Sequence, residues 1–317
     1  MTDLDLITVG RVSVDLYARE AGAGFEEAQT FEKSVGGSPT NVAVAAARLG
    51  HRAAVATKVG DDPFGRYVRR KLEYFGVDTR FVGTHPTLRT PLAFAAMDPP
   101  DDPPILFYRE PDAPDMTIAP DELDAQSVRD VPIFWVSASA LSRDPIAGTV
   151  GALLAERSRR RHTVLDLDYR PAFWASEADA REHIGGAVKS CTVAVGNRTE
   201  CDIAVGSADP DTAADRLLER GAELAIVKRG GDGVLVAWSD GRTVVPAQRV
   251  EVVCGLGAGD AFGGALCHGL LSGWDPRQMV EYANAAGAIV ASRLLCSDAM
   301  PFDDEVGALL GRSDAPG

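Results

Sequence analysis

Long apolar runs are missing from this 317-residue chain, and so is any excess of positive charge. No stretch approaches the ~18 consecutive apolar residues that cross a bilayer. With 32 basic against 46 acidic side chains the net charge is −14, which repels nucleic acid and anionic membrane alike, so neither is expected as a partner. The five cysteines, Cys191, Cys201, Cys254, Cys267 and Cys296, contain no C-x-x-C pair, and the five histidines form no H-x-x-x-H. That pattern suits reduced thiols rather than a disulfide frame. Because the acidic start also lacks a basic and apolar leader, a cytoplasmic location is expected. Two common nucleotide-binding patterns are absent as well. None of the lysines follows a glycine and precedes Ser or Thr, which excludes a P-loop, and the first apolar run, Leu4 to Val9, is followed by the single Gly10 instead of G-x-G-x-x-G.

What the chain does contain is organised around Val252 to Phe262: a short apolar run, glycines at 255, 257 and 259, and a long apolar helix expected to begin near Asp260. Bare backbone N–H groups at a helix start, aided by the helix dipole, make an anion site. A carboxylate beside such a site repels the anion. Asp260 therefore fits either a general base that takes a proton from an attacking hydroxyl or a plain helix N-cap.

The rest of the chain alternates. Leu4 to Val9 reads as a buried strand. Pro39 to Leu49 is an alanine-rich helix with Ser38 as its cap and Gly50 as its stop, Ala53 to Val59 is a strand, and Asp62-Pro63 opens a helix that ends at Gly76. Between Thr90 and Met116 two strands, Leu92 to Met97 and Ile105 to Arg109, flank a Pro/Asp turn with no helix between them. Strand and helix then alternate again through Ile133 to Ser137, Thr163 to Leu167 and Cys191 to Val195, runs apolar enough for a parallel sheet covered on both faces. Asn197-Arg198-Thr199-Glu200 follows as a helix start. Leu224 to Lys228 and Val234 to Ala237 flank a glycine turn, and Asp275-Pro276 caps a long helix carrying Asn284. After Arg312 the tail is polar and expected to fray.

Gly257-Ala258-Gly259-Asp260-Ala261-Phe262 resembles the C-terminal signature of the PfkB, or ribokinase-like, carbohydrate kinases. Gly36-Gly37-Ser38-Pro39-Thr40-Asn41, some 220 residues earlier, resembles their N-terminal one. The resemblance runs from Asp5 to about Pro301. It implies an α/β, doubly wound and mostly parallel sheet with helices on both faces, in one kinase domain over residues 1–317. A small β-sheet lid is expected from about 12–35 and 88–116, pairing with a second subunit as a homodimer. It implies ATP and Mg²⁺, with Asp260 as base and the Gly257-Ala258-Gly259 turn at the transferring phosphoryl group. Asp15, Gly36, Gly37 and Asn41 would face the sugar. Asn197, Lys228, Gly230, Gly233, Gly257, Gly259 and Asn284 would face the nucleotide, and Glu200 would orient Mg²⁺ through water. Asp166 to Arg170 is similar to a segment of the family's sugar-acid kinases. Arg109 and Arg170 are accordingly expected to hold a substrate carboxylate, Asp168 also to face the substrate, and the acceptor to be 5-dehydro-2-deoxygluconate, with 2-dehydro-3-deoxygluconate or a neutral sugar such as fructose or ribose as alternatives. A non-catalytic sugar or nucleotide sensor is the rival from another class. Where many members carry an Asp-Thr that helps bind a monovalent cation, this chain has Cys254-Gly255, so K⁺ dependence is doubtful.

Overall fold

The computed structural model describes residues 3–160 and 162–312, so the polar tail beyond Arg312 lies outside the described residues. In chain order the strands are β1 (Leu6–Val9), β2 (Ser13–Ala18), β3 (Phe31–Gly36), β4 (Ala53–Gly60), β5 (Val82–His85), β6 (Leu92–Ala95), β7 (Ile105–Tyr108), β8 (Ile133–Ser137), β9 (Thr163–Asp166), β10 (Val193–Asn197), β11 (Leu224–Lys228), β12 (Val234–Trp238) and β13 (Gly241–Val245). The helices are α1 (Ser38–Arg48), α2 (Pro63–Tyr74), α3 (Ala125–Asp130), α4 (Ile146–Arg157), α5 (Glu177–Ala187), α6 (Arg198–Val205), α7 (Pro210–Glu219), α8 (Ala258–Ser272), α9 (Pro276–Ala291) and α10 (Asp303–Leu309).

Nine strands form one sheet in the order β13-β12-β11-β10-β9-β8-β1-β4-β5, parallel except where β12 runs antiparallel to β11 and β13. Both faces of its central strands are covered, so β1, β4, β8 and β9 are buried at every position. That is why their sequences read as continuous apolar runs. Two hydrophobic layers lie on opposite faces, one under α1, α8 and α9, the other under α4 to α7. The chain leaves β1 toward β4 and β5, then returns to its other side at β8. The crevice at this reversal, outside the strand carboxyl ends, is where such sheets bind ligands. Arg11 just past β1, Ser137 at the end of β8, Asp166 at the end of β9 and Lys228 at the end of β11 all reach it.

A separate four-stranded sheet, β3-β2-β6-β7, stands over that crevice. It is a mixed sheet: β6 and β7, the two strands read on either side of the Pro/Asp turn, pair antiparallel, as do β2 and β3, while β2 pairs parallel with β6. Several expected boundaries shift. α8 starts at Ala258 and not at Asp260, the strand expected from Cys191 begins at Val193, and β13 and α10 had no sequence counterpart. Ser38 opens α1 as its first residue but makes no cap bond, leaving its hydroxyl for the site.

Two glycines on α8 set how close it comes to α1. A Cβ at Gly264 would lie 2.3 Å from Ala45 Cβ, and one at Gly263 would lie 2.8 Å from the Trp135 ring. The alanine face of α1 thus packs almost backbone to backbone on α8, bringing Asn41 and Asp260 together from 219 residues apart in sequence.

Candidate active site

The N-terminus of α8 divides two cavities. Its N-cap is Gly257, at φ +82°, where a Cβ would also lie 2.6 Å from Cys296 Sγ, so glycine is required there twice over. Asp260 is the third residue of the helix, and no side chain caps it. The N-cap reading of Asp260 therefore falls. Its carboxylate instead accepts a hydrogen bond from Asn41 Nδ2 at 2.8 Å. Burial raises its pKa, bonds from Asn41 and Ser38 offset part of that rise, and the charge of Asp168 adds to it. A carboxylate so placed holds a proton better than an exposed one, as a general base must. Gly259 is less crowded, since a Cβ there would sit 3.4 Å from Lys228 Nζ, and what its bareness serves is access to the backbone from the cleft.

Asp260 and Gly257 face a narrow space of about 60 Å³ under the lid, shared with Ser38 and Asn41 of α1, Asp15 and Tyr17 of β2, and Arg11 and Arg170. The Gly36-Gly37 pair makes this wall possible. A Cβ at Gly36 would lie 1.9 Å from Asp15 Oδ2, while Gly37, at φ +99°, would meet the Arg11 carbonyl at 2.4 Å. Asp15 accepts from Ser13 Oγ at 2.6 Å and from the Tyr17 hydroxyl at 3.2 Å, and burial pushes it up to about 6. It lines the space as a hydrogen-bond acceptor.

The arginines differ from expectation. Arg109, expected at the substrate carboxylate, pairs instead with the fully buried Asp115, through Nη2 at 2.5 Å and Nη1 at 3.3 Å, and lines a neighbouring cavity beyond Phe107. Arg11 takes the inner position. It binds Asp168 through both Nη1 and Nη2 and donates to Ser139 Oγ at 2.6 Å. The ring of Phe173 lies between the two, 5.5 Å from the Arg11 guanidinium and 5.2 Å from that of Arg109. Arg170 does line the acceptor space, with Nε 3.5 Å from Asp168 Oδ1. Asp168, expected to touch substrate, does not line the space. Despite its burial, Arg11 and Arg170 hold its carboxyl well below the usual range, with Ser137 Oγ donating at 2.7 Å. It neutralises one of two guanidinium groups and leaves one positive charge over. Arg11 was the missed residue, and its signal was its place just past the first strand.

On the other side of the turn, Lys228, Gly230, Gly233, Ala258, Gly259 and Asn284 line a cleft of about 650 Å³. Burial would depress the Lys228 ammonium, but Glu200, Asp166 and Asp260 outweigh it and hold its pKa above the ordinary value. Asn284 Nδ2 donates to the Pro246 carbonyl at 3.1 Å, at the apolar end of this cleft. Asn197 and Glu200 form a reciprocal capping box, Glu200 N donating to Asn197 Oδ1 at 2.9 Å and Asn197 N to Glu200 Oε2 at 2.7 Å, and neither lines the cleft. No group of three or more His, Cys, Asp or Glu among the described residues could hold a metal by itself. Cys254 is buried with Tyr17, Met97 and Cys296, and the Tyr17 hydroxyl lies 2.7 Å from Cys296 Sγ, so a sulfur cluster occupies this corner.

Comparison with known proteins agrees with this geometry. The pfkB family carbohydrate kinases match residues 3–303. A protein of Geobacillus thermodenitrificans named 5-dehydro-2-deoxygluconokinase is 36% identical over 315 residues, covering 96% of this chain and 92% of its own length. One of the same name from Photobacterium profundum is 37% identical over 307 residues, covering 94% and 92%. Among solved structures, Xylella fastidiosa fructokinase with bound ATP superposes with a TM-score of 0.83 at 24% identity, over 97% of this chain and 98% of that one. An E. coli protein described as a ribokinase II, in complex with ATP and Mg²⁺, gives 0.88 at 23% identity, over 98% and 100%. These two establish the ribokinase-like fold. No helix among the described residues is long and apolar enough to cross a membrane. With the family match spanning nearly the whole chain and a glycine turn set between two cavities, the chain belongs to the pfkB family of carbohydrate kinases and is a phosphotransferase.

Proposed function

We propose that the protein transfers the γ-phosphoryl group of ATP to the C6 hydroxyl of a six-carbon keto-deoxy acid, 5-dehydro-2-deoxygluconate. The observation that carries this reading is the single turn at the start of α8, where Asp260 faces the acceptor space while Ala258 and Gly259 face the nucleotide cleft. Asp260 takes the hydroxyl proton, the oxygen attacks phosphorus, and the bond to the β-phosphate breaks with its electron pair leaving on ADP. Backbone N–H groups at the helix start and the Lys228 ammonium meet the charge spread over the transferring group. Mg²⁺ supplies further neutralisation when bound with the nucleotide, and Glu200, buried and near Lys228, suits a contact through water and not direct ligation.

An acid acceptor is favoured over a neutral sugar by the charge left on the Arg11-Asp168-Arg170 group, with Arg170 open to the acceptor space. The names of the relatives above support 5-dehydro-2-deoxygluconate in particular. 2-Dehydro-3-deoxygluconate offers the same carboxylate and primary hydroxyl and is the second reading. Release of ADP, followed with both acids, fructose and ribose, tests the proposal. Fructose or ribose as the best substrate removes the acid reading, and no turnover on any of the four favours a sensor.

Two further properties belong with this reading, as does the cytoplasmic setting in which five free and buried thiols stay reduced. At position 254 a neutral thiol, a poor K⁺ ligand, stands in place of a carboxylate, so rates in K⁺ and Na⁺ buffers should agree within about twofold; strong K⁺ activation counts against this. The outer face of the lid carries Phe31, Phe94 and Tyr108, successive rings 5.4 Å apart, beside Leu106, which is 44% exposed. Pairing two such faces buries them in a homodimer. Sedimentation should give a dimer for the wild type and a monomer for Tyr108→Asp, and a monomeric wild type removes the proposal.

A further inference from the structure

Asn41 meets Asp260 with one end of its amide and is held at the other end by a residue from a distant part of the chain. Its Nδ2 donates to Asp260 Oδ2 at 2.8 Å, and its Oδ1 accepts from Ser297 Oγ at 2.6 Å. Ser297 is fully buried, lies 256 residues on from Asn41 and lines neither cavity. Each of the three groups donates to the next, and the dipoles of such a chain reinforce one another toward the carboxylate at its end. The terminal torsion of an asparagine is broad, so an amide gripped at one end only can turn. Gripped at both, it keeps its N–H on the base.

Ser297 is itself fixed from several sides. It opens the short turn Ser297–Ala299, where the Ala299 carbonyl accepts from Arg293 Nη1 at 2.9 Å and the following Met300 carbonyl from Arg48 Nη1 at 2.7 Å. Its neighbour Asp298 accepts from Ser34 Oγ of β3 at 2.8 Å and from Lys71 Nζ of α2 at 2.5 Å, which ties the turn to the lid. On its other side Cys296 Sγ fills the place beside Gly257 that a Cβ there would enter. One short segment therefore touches the lid, the N-cap of α8 and, through Asn41, the base.

We propose that Ser297 is a positioning residue for phosphoryl transfer, orienting the Asn41 amide on Asp260 and so fixing the base beside the acceptor space. It touches no substrate and acts through Asn41. Burial raises the pKa of Asp260 and the Asn41 bond lowers it, so a slack amide lets the value climb. The other charges that bear on Asp260 come from other elements. Arg11 just past β1 and Lys228 on β11 favour its ionised form, while Asp15 on β2 and Asp166 and Asp168 at the end of β9 oppose it. Arg170 faces the same space, and the buried Cys296 thiol stays neutral. None of these is altered by a substitution at 297, so a changed pH profile reports the Asn41 contact.

The inference rests on Asp260 being the base. Single-turnover phosphoryl transfer is measured by rapid quench across the pH range with both substrates saturating. In Ser297→Ala the Asn41 carbonyl, on a side chain 2% exposed, loses its donor. The acid limb of the rate should then move to higher pH by about half a unit to one unit and the plateau should fall by about three- to tenfold, while the KM for ATP stays within about twofold. The sign follows from the chemistry, since a carboxylate whose hydrogen-bond donor is loosened ionises at a higher pH. Asn41→Ala removes the contact whole and should move the limb further. Adding Ser297→Ala to it should change nothing more, as expected of a residue that acts through Asn41. A double variant that loses as much again overturns the proposal. So does a Ser297→Ala enzyme with a lowered Tm but the rate and limb of the wild type, which makes Ser297 a packing residue. Should Ser297→Ala fold poorly, Ser297→Cys keeps the shape with a weaker donor and should move the limb the same way by less; an unmoved limb there overturns the proposal equally. If Asp260 is not the base, Asp260→Asn keeps its activity, an outcome distinct from an inactive Asp260→Asn beside a wild-type limb in Ser297→Ala, which removes the positioning role alone.

Discussion

Asp260→Asn should lower kcat by ~100- to 10,000-fold while leaving the fold and ATP binding in place, the loss assigned to removal of a positioned general base. The substitution is nearly isosteric, and the new amide oxygen can still accept from Asn41 Nδ2, which now bonds Asp260 at 2.8 Å. α8 does not depend on the charge for its start, since Gly257 is the N-cap and no side chain caps the helix. Stability gives an independent check. Asp260 has its pKa raised in the folded protein, chiefly by burial, so it contributes stability that is present at low pH and lost as the pH rises through the folded value. At neutral pH the ionised group is a burden. Asn should therefore leave Tm unchanged or higher, in contrast to a residue retained for structure. A variant with more than about a tenth of wild-type kcat sinks the assignment.

The parts of this site that were legible in the sequence are those written in local backbone chemistry. Gly36-Gly37 and Gly257 stood out because each position has no room for a side chain, and that need leaves a glycine behind whatever surrounds it. Strand ends were legible too, since buried parallel strands read as apolar runs and the first polar residues beyond them fall in the crevice. What could not be read was which charge meets which. Arg11 is committed to Asp168, 157 residues away, and Arg109 to Asp115, which lies only six residues on but past the bend at Pro111. From sequence alone Arg109 was an unpaired cation at the end of a lid strand and suited to a carboxylate, while Arg11 went unremarked. Packing decided between them. Whether Asp260 or Gly257 capped α8 likewise depended on the φ of one residue, and the role of Ser38 on a hydroxyl left free because the helix did not need it.

Arg170→Ala should weaken kcat/KM for a keto-deoxy acid by ~30- to 150-fold and change the value for fructose by much less, since one charge-assisted contact is worth roughly 2 to 3 kcal/mol. Arg170 is the right residue to remove. It lines the acceptor space, its side chain is 43% exposed, and its Nε has no hydrogen-bond partner and lies 3.5 Å from Asp168 Oδ1. Its charge is thus held in place without being fully spent. The other two arginines behave differently for a physical reason. Arg11→Ala leaves Asp168 ionised, 3% exposed and without its bidentate partner, and Arg109→Ala does the same to a fully buried Asp115. Breaking a buried pair costs ~3 to 5 kcal/mol of stability, so both variants should unfold at lower temperature and lose activity on acid and neutral acceptors alike. Arg109 was expected to share the carboxylate with Arg170. A bond to the substrate would have to displace Asp115, and no gain from a carboxylate at the cavity edge compensates for exposing that one. The three variants are measured side by side, with kcat/KM on 5-dehydro-2-deoxygluconate, 2-dehydro-3-deoxygluconate and fructose and with thermal unfolding for each. Selective loss on the acids confined to Arg170→Ala, with its Tm within a few degrees of wild type, assigns the carboxylate to that guanidinium. An equal loss on fructose makes Arg170 structural and removes the charge argument for an acid acceptor.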